Sequence, residues 1–325
     1  MDICLLNNIL GQHSFKYHST SFMKQTIPLF IALSVSIFFG CKKEDKDDGG
    51  NNINNHLEVL GGNSEAFTFD ASTGDTIVGP QGTRLILKPN SFYYKKDNTP
   101  ASGQIMVSLF EIYSKGGLIH FNKPTISNGE FLVSGGVAHV RLGQNEDEIY
   151  STDSRIQFPA ADPTVGMRAF RWIDASQTWE QYIEIDLAPE NDGDNIYRYN
   201  FPLPQNYNWI NCDRFYDNPG PYTSVVCDVP GSHKVGENNY SSTVFMVLKD
   251  QFSVIRLSTE QIDNRFTVGH LPLNIKYSLV AVKIKNYQVE AAFKEDLITG
   301  TPAVIHSMAL QAINNSDLKL KLASL

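Results

Sequence analysis

Short stretches of alternating apolar and polar residues, separated by glycine and proline, recur throughout this 325-residue chain. In residues 178–186, Trp179, Ile183 and Ile185 share one face and the acidic side chains share the other, which indicates a half-buried strand. Residues 104–110 are apolar on both faces, as expected of a central strand. Helical periodicity is nearly absent, so we predict an all-β fold built of β-sandwiches.

Two later segments extend the same interpretation. Residues 243–248 and 252–257 flank a three-residue polar turn and predict a hairpin. Residues 278–284 alternate, and we expect the valines and the isoleucine to point inward and the lysines outward. Residues 306–318 are the one place where a short C-terminal helix is expected.

A polar segment rich in turn-forming residues, 188–195, separates two strand-dense halves that share no visible repeat. We therefore predict two tandem β-sandwich domains, at residues 63–188 and 196–325. About 260 folding residues are comfortable for two domains and too many for one small sandwich.

The first half carries a recognisable order of strands and turns. Gly79-Pro80-Gln81-Gly82-Thr83 leads into a strand that ends at Pro89, residues 103–111 form the next long strand, and Gly135-Gly136 interrupts a later apolar run. This order resembles the β-sandwich module of ankyrins and netrin receptors, in a divergent bacterial form spanning about residues 67–185. The resemblance implies an interaction or scaffold module that does no chemistry, and it transfers no binding residue to this chain.

The N-terminal region has the layout of a secretory leader. Residues 23–41 read MKQTIPLFIALSVSIFFGC: a basic start, an apolar middle, and a small residue before Cys41. The run is too short and too interrupted for a membrane-spanning helix, and a buried core helix fits the basic start poorly. Met23 is the better initiator, so residues 1–22 are interpreted as a mis-called start and residues 23–40 as a signal peptide.

The end of this leader resembles the lipobox of bacterial lipoproteins, although Phe39 stands where that family usually has Ala or Ser. The resemblance implies that the mature chain begins at Cys41, with a diacylated thiol and an acylated amino group. Stable membrane anchoring needs more than one acyl chain, so this triple acylation suffices. Residues 41–62 are then a polar tether. The acidic run Glu44 to Asp48 resembles the export signal of some Gram-negative surface lipoproteins, and it also serves as an ordinary spacer.

The remaining composition limits the partners. The net charge of −8 and the lack of a basic cluster after the tether argue against nucleic acid as a partner. Cys212 and Cys227 are left for the folded part, and an even pair in an oxidising compartment predicts a disulfide. Two buried free thiols are the alternative, while no companion ligands support metal binding.

Residues 207–216 hold the densest chemistry in the chain. Trp209, Asn211, Asp213 and Arg214 are candidate ligand-binding residues, since an aromatic face stacks on a sugar ring while Asn, Asp and Arg bond its hydroxyls. The segment also resembles an aromatic-Asn-x-Asp patch in Gram-negative surface lipoproteins. The alternative is a core strand pinned by the disulfide.

A search for catalytic motifs returns little. The chain lacks a Gly-x-Ser-x-Gly elbow, a His-Glu-x-x-His pair and a phosphate-binding Gly-x-x-x-x-Gly-Lys loop. The histidines are scattered; we expect His139 to face water and His306 to lie on the surface or in a loop. Asp192 and Asp194 lie in an oxygen-rich loop that suits calcium, but a solvated linker explains it equally well. No cofactor or metal is predicted.

Two hypotheses of different classes remain. The first is a non-enzymatic, lipid-anchored protein at the outer membrane or cell surface that binds a protein or glycan or acts as a scaffold. The second is an envelope glycan hydrolase, or a carbohydrate-binding lipoprotein of a glycan-uptake system. A hydrolase requires two carboxylates roughly 5 to 9 Å apart in a cleft.

Overall fold

The computed structural model describes residues 57–58, 60–144, 147–160, 163–191, 193–205, 208–217, 220–233, 241–259, 264–285, 288–301 and 303–325. The leader, Cys41 and most of the predicted tether lie outside these ranges. The earlier strands are β1 (Glu65–Asp70), β2 (Asp75–Val78), β3 (Arg84–Leu87), β4 (Phe92–Tyr94), β5 (Gln104–Ile112), β6 (Ile126–Ser127), β7 (Glu130–Gln144), β8 (Asp147–Ser151), β9 (Arg155–Ala160), β10 (Met167–Ile173), β11 (Thr178–Leu187), β12 (Glu190–Asn191), β13 (Tyr197–Pro202) and β14 (Trp209–Phe215). The later strands are β15 (Tyr222–Asp228), β16 (Ser242–Leu248), β17 (Ser253–Arg256), β18 (Ser258–Thr259), β19 (Arg265–Pro272), β20 (Lys276–Lys285), β21 (Gln288–Leu297), β22 (Val304–Ser307) and β23 (Gln311–Ile313). Helix α1 is Lys115–His120 and helix α2 is Asn315–Ala323.

Within the described ranges these strands form four sheets, which confirms the predicted all-β class. Sheet I is nine-stranded, with the path β1-β5-β7-β14-β10-β11 and with β4, β6 and β8 attached beside it. Sheet II has the order β12-β13-β9-β3-β2, sheet III the order β17-β16-β20-β21-β23, and sheet IV the order β18-β19-β15-β22. Neighbours pair antiparallel, except that β15 and β22 run parallel.

Three hydrophobic cores fill the spaces between the sheets. Core 1 takes side chains from sheets I and II, including Val107, Phe158 and Phe201. Core 2 takes them from sheets I and III and from both helices, including Trp179 and Phe245. Core 3 takes them from sheets III and IV. The layers are therefore stacked in the order II, I, III, IV, with core 2 joining one sandwich to the other.

The central strands of sheet III are apolar on both faces because both faces are covered. In β16, Phe245 and Val247 enter core 2 while Val244 and Met246 enter core 3. In β20 the expected inward residues, such as Val280, lie in core 2, but Leu279 and Ala281 are also buried, in core 3. The predicted hairpin between β16 and β17 is confirmed.

The boundary predicted at residues 188–196 does not separate the sheets. Strand β13 pairs with β9 in sheet II, and β14 lies between β7 and β10 in sheet I, so both belong with the first half. Sheet membership changes between β14 and β15 instead. The folded part also begins earlier than residue 63, because Leu57 is completely buried in core 2.

Buried hydrogen bonds reinforce the junction at core 2. The Trp179 indole Nε1 donates to the carbonyl of Pro124 at 2.9 Å. The next residue, Thr125, donates its amide to the carbonyl of Val254 at 2.7 Å, and its hydroxyl lies 2.8 Å from that of Ser253. The connection between α1 and β7 thus satisfies polar groups of both sheets I and III, where water is excluded.

Two sequence expectations fail in their details. Ile185 is 71% exposed, because the pairing of β10 with β11 has two register irregularities and the face of β11 changes after Trp179. The C-terminal helix begins at Asn315, whereas residues 304–307 and 311–313 are strands. The Asn314 side chain accepts the amide of Asp317 and so starts the helix there.

Glu111 holds the glycine-rich turn between β2 and β3 in place. Its buried carboxylate accepts the backbone amides of Gln81 and Thr83, each at 2.8 Å. A Cβ atom on Gly79 would lie 2.5 Å from a Glu111 carboxylate oxygen, so this position of the motif has no room for a side chain. Gly82 has a φ of +98°, which favours glycine.

We predict that Glu111→Ala lowers the free energy of unfolding by about 2–4 kcal/mol, since the buried amide of Thr83 and the partly buried amide of Gln81 both lose their acceptor. Chemical denaturation measures the change, and Glu184→Ala, at an exposed position of β11, is the matched control. If the free energies of unfolding of the two variants agree within about 0.5 kcal/mol, the hydrogen bonds from Glu111 to the turn are not important for stability.

Candidate functional site

Strand β14 carries the predicted ligand-binding residues through the middle of sheet I. Trp209, Asn211 and Asp213 point toward the core 2 side, while Ile210 and Cys212 enter core 1. Trp209 is half-buried, but Asn211 and Asp213 have no exposed surface. By the alternation of β14, Arg214 projects from the opposite face of the strand.

Asn211 and Asp213 belong to a buried polar cluster under the sheet. Asn211 donates its amide to the Asp213 carboxylate, and the Ser134 hydroxyl donates to Asn211 Oδ1 at 3.1 Å. Burial raises the pKa of Asp213 to about 7, and the nearby Ser134 hydroxyl, Asn211 amide and Gly135 amide oppose that rise only in part. A ligand at the surface does not reach these two side chains.

Gly135 and Gly136 make this cluster possible. They lie inside β7 rather than in a turn, where the pairing with β14 shifts register between Asn211 and Asp213. Gly136 has a φ of +137°, and a Cβ atom there would lie 2.3 Å from the Tyr113 ring. The pair forms a β-bulge that fits Ser134 beside Asn211.

Trp209 instead forms part of the wall of a pocket of about 580 Å³ at the edge of core 2. The strand register explains the arrangement: Phe110 on β5 and Trp209 on β14 both pair with His139 on β7, and Ser108 pairs with Arg141 one step further along. Phe121, just after α1, closes one side of the pocket. The lining residues are Glu58, Gly62, Asn63, Ser64, Ser108, Phe110, Phe121, His139, Arg141 and Trp209.

The apolar part of the wall is a set of touching rings. The ring centroids of Phe121 lie 4.4 Å from those of Phe110 and 5.6 Å from those of Trp209. His139 lies 4.6 Å from Trp209. His139 therefore does not simply face water, as the sequence had suggested; it packs on the indole.

A buried lysine supports the Trp209 ring. The ammonium of Lys123 lies 4.8 Å from the centre of Trp209 and 4.4 Å from that of Trp172, within cation–π distance of both. Burial lowers the pKa of Lys123 to about 8, while Asp174 and Glu58 act in the opposite direction. At neutral pH the charged form still predominates, so a cation lies beside the aromatic wall.

His139 is neutral at physiological pH. Burial and, to a smaller extent, the positive charges of Lys123 and Arg141 lower its pKa to about 4, against an opposing contribution from Asp174. A neutral imidazole both donates and accepts a hydrogen bond. The wall thus combines aromatic carbon with neutral and cationic hydrogen-bonding groups.

The predicted disulfide is wrong. Cys212 and Cys227 are both free, buried thiols, and they lie in different hydrophobic cores, core 1 and core 3. Burial raises the pKa of Cys212 well above its ordinary value and that of Cys227 to about 12. Protonated thiols inside a core are inert. Hydrophobic packing therefore provides the stability that a disulfide was expected to provide.

The carboxylate of Asp194 is engaged by arginines. Arg198 donates to both of its oxygens, at 3.0 and 2.8 Å, and Arg84 donates to one of them at 2.6 Å. These hydrogen bonds hold the pKa of Asp194 well below its usual range. Two guanidinium groups around one carboxylate disfavour a calcium ion there. Asp192, the other calcium candidate, lies outside the described residues.

His306 is buried, not at the surface as the sequence suggested. Its Nε2 atom lies 2.6 Å from the Tyr277 hydroxyl and 3.5 Å from a carboxylate oxygen of Asp296. Its backbone partner in the parallel pairing of β15 with β22 is Cys227. All these groups but Asp296 are buried at the edge of core 3, so the cluster has a structural role.

The comparisons with known proteins give no family. Neither a family description nor a curated protein matches the chain. One solved structure with partial likeness is the Bacillus anthracis TIE protein, 6% identical with a TM-score of 0.22 over 77% of this chain and 52% of that one. The chain thus spans about half the length of that protein, and a likeness at this score carries no argument. No helix in the described part of the chain has the length and apolar character needed to span a membrane.

We predict that Asp213→Asn flattens the dependence of stability on pH. Because the folded pKa of about 7 exceeds the ordinary value of 3.8, the folded protein holds this proton more tightly, and its stability falls as pH rises from about 4 to 7. The full difference is about 4 kcal/mol, and the asparagine variant lacks it while keeping an acceptor for Asn211.

Urea denaturation from pH 4 to pH 8 measures this slope, with the exposed Asp153→Asn as control. Equal slopes in wild type and Asp213→Asn would show that Asp213 does not titrate in this range.

Proposed function

We propose that the chain is a lipid-anchored protein of the cell envelope whose folded part binds a glycan without transforming it. The observation that carries the binding role is the pocket beside Trp209. Its volume of about 580 Å³ lies within the range of small-ligand sites. Its composition, rings beside hydroxyl, amide and guanidinium groups, suits a sugar, which has apolar C–H faces and a rim of hydroxyls.

The residues around the pocket favour binding over hydrolysis. Among the described residues that line it, Glu58 is the one carboxylate, and it is exposed at the rim. Glycoside hydrolases of the usual kind place two carboxylates across the scissile bond. Asp213, the acid whose pKa is raised nearby, is sealed beneath the sheet. The glycan-hydrolase alternative therefore gains no support from this pocket.

The proposed cellular location of the protein is based on the sequence. The leader at residues 23–40, Cys41 and the polar segment after it resemble those of lipoproteins, and we propose attachment to the outer membrane through lipid on Cys41. A tether of this composition would hold the folded part clear of the bilayer. We propose exposure at the cell surface, since a polymer outside the cell is a natural ligand for such a pocket.

We expect Cys41→Ala to abolish lipid attachment. Cells of a Gram-negative host that express the full chain with a C-terminal epitope are fed an alkyne-tagged fatty acid, and the tag on the purified protein is measured. Wild type and Asn51→Ala, a control substitution in the polar tether after Cys41, should carry the label. Label remaining on Cys41→Ala would contradict the anchor.

Protease treatment of the same intact cells tests the surface location. Loss of the epitope from wild-type cells would support exposure, and protection until the outer membrane is opened would place the folded part in the periplasm. Changing Glu44, Asp45, Asp47 and Asp48 to Asn or Gln tests the acidic run as the export signal.

We predict that Trp209→Ala weakens glycan binding at least tenfold, because the sugar loses the apolar surface that shields its C–H face from water, and burial of apolar surface contributes about 25 cal/mol per Å². Purified wild-type protein is screened against a panel of neutral and acidic oligosaccharides, and the best binder is titrated by calorimetry. Tyr222→Ala removes an exposed ring far along the chain and serves as the control. If no oligosaccharide binds, or Trp209→Ala binds as wild type does, the proposed role of the pocket is wrong.

A further inference from the structure

We propose that the pocket selects a sugar that carries a carboxylate, a uronate, with the ring on the aromatic wall around Trp209 and the carboxylate on Arg141. This inference rests on the proposed glycan-binding function and adds the chemical class of the ligand. It follows from the placement of charge around the pocket and from the register of β5, β7 and β14.

The buried charges at the pocket are positive. Lys123 is 9% exposed beneath Trp209, and the half-buried Arg141 belongs to the wall itself. Of the carboxylates nearby, Glu58 and Asp174 are exposed to solvent and the Glu148 side chain, beside Arg141, is 40% exposed, so water and salt weaken their effect. A buried charge acts over its surroundings through less water, so the cations dominate inside the pocket.

The pKa of His139, which lies in the middle of the aromatic wall, indicates the balance of positive and negative charge there. The charges that act on its pKa are Lys123 and Arg141, which lower it, and Asp174, which raises it with the smallest effect. The potential at the imidazole is therefore net positive. A ligand group that lies next to His139 experiences the same potential, and an anion is favoured there over a neutral hydroxymethyl group.

The strand register sets the distance between the ring site and the charge. Phe110, His139 and Trp209 form one row across three strands, and Ser108 and Arg141 form the next row. Adjacent same-face positions on a strand are about 6.6–6.8 Å apart. A ring held on the first row thus brings a substituent of its edge to the second row, where the guanidinium lies.

Arg141 suits a carboxylate by its geometry. A guanidinium presents five N–H donors in a planar fork and binds a carboxylate through two parallel hydrogen bonds. Its contact with Glu148, at 3.9 Å from Nε, is long. With five donors the guanidinium can bind a ligand carboxylate in addition to its present partners, and Ser108 beside it offers a hydroxyl to the neighbouring oxygen of the sugar.

The test compares two probes that differ only in the carboxylate. One is a set of uronate oligosaccharides (galacturonate, glucuronate and mannuronate), and the other is the same set with each carboxylate reduced to a primary alcohol. Calorimetry on the purified folded chain should give at least tenfold tighter binding for one uronate than for its reduced form. Arg141→Gln should remove this preference, while Trp209→Ala should weaken both.

Arg155→Gln is the matched control, because Arg155 lies on sheet II and bonds Asn200. Circular dichroism checks that each variant is folded. If Arg141→Gln does not fold, the salt dependence of wild-type binding replaces it: uronate affinity should fall as salt rises, and affinity for the reduced probe should not.

The outcomes separate this inference from the proposed function. Equal affinity for a uronate and its reduced form, or a preference for the reduced form, would overturn the uronate assignment and leave a glycan site. An unchanged uronate preference in folded Arg141→Gln would overturn the role of Arg141. If neither probe binds and no oligosaccharide of the panel binds, both proposals are overturned.

Discussion

The packing of core 2 is the interaction on which the rest of this structure depends. Sheets I and III each have a second face that is covered elsewhere, by cores 1 and 3, so core 2 turns two sandwiches into one four-layer stack. Trp179 and Phe245 are fully buried there, and truncating such rings typically removes about 3–5 kcal/mol of stability. Without this junction, two large apolar faces would be open to water.

The candidate site depends on the same junction. The rings of Trp209, Phe110 and Phe121 are partly buried and pack against core 2. Leu57 is anchored in core 2 and leads into the segment that forms the pocket rim at Gly62 to Ser64. The pocket is thus formed by three strands of sheet I together with the segment before β1 and the residue after α1, rather than by a single loop or motif.

The ionisable groups described above divide into two kinds with different consequences. Glu111 and Asp194 are carboxylates supplied with donors, and they tie turns to the sheets. Asp213 and Lys123 are ionisable groups whose burial is less fully compensated, which is why their pKa values move toward neutrality. Lys123 lies in the connection between α1 and β6, with its ammonium 4.8 Å from the centre of the Trp209 ring, whereas Asp213 lies further along β14 and has no exposed surface.

The sequence by itself determined the class of the fold. The alternation along β20 and the hairpin of β16 and β17 are local patterns, and they can be recognised without knowledge of the partner strands. It also singled out Trp209, because an aromatic residue among polar ones is unusual in a strand. The sequence could not show that Asn211 and Asp213 are buried, because alternation indicates which residues share a face of a strand but not what covers that face.

Only the tertiary structure decided where the sheets exchange strands and what the pocket contains. The insertion of β14 between β7 and β10 joins residues that lie far apart in the chain. Together with the pairing of β5 and β7, it brings Phe110, His139 and Trp209 into one row. The same holds for Cys212 and Cys227, whose even number suggested a bond while their positions in separate cores exclude it. Pairing between distant strands is a long-range choice, made by the burial of whole faces, and no local pattern encodes it.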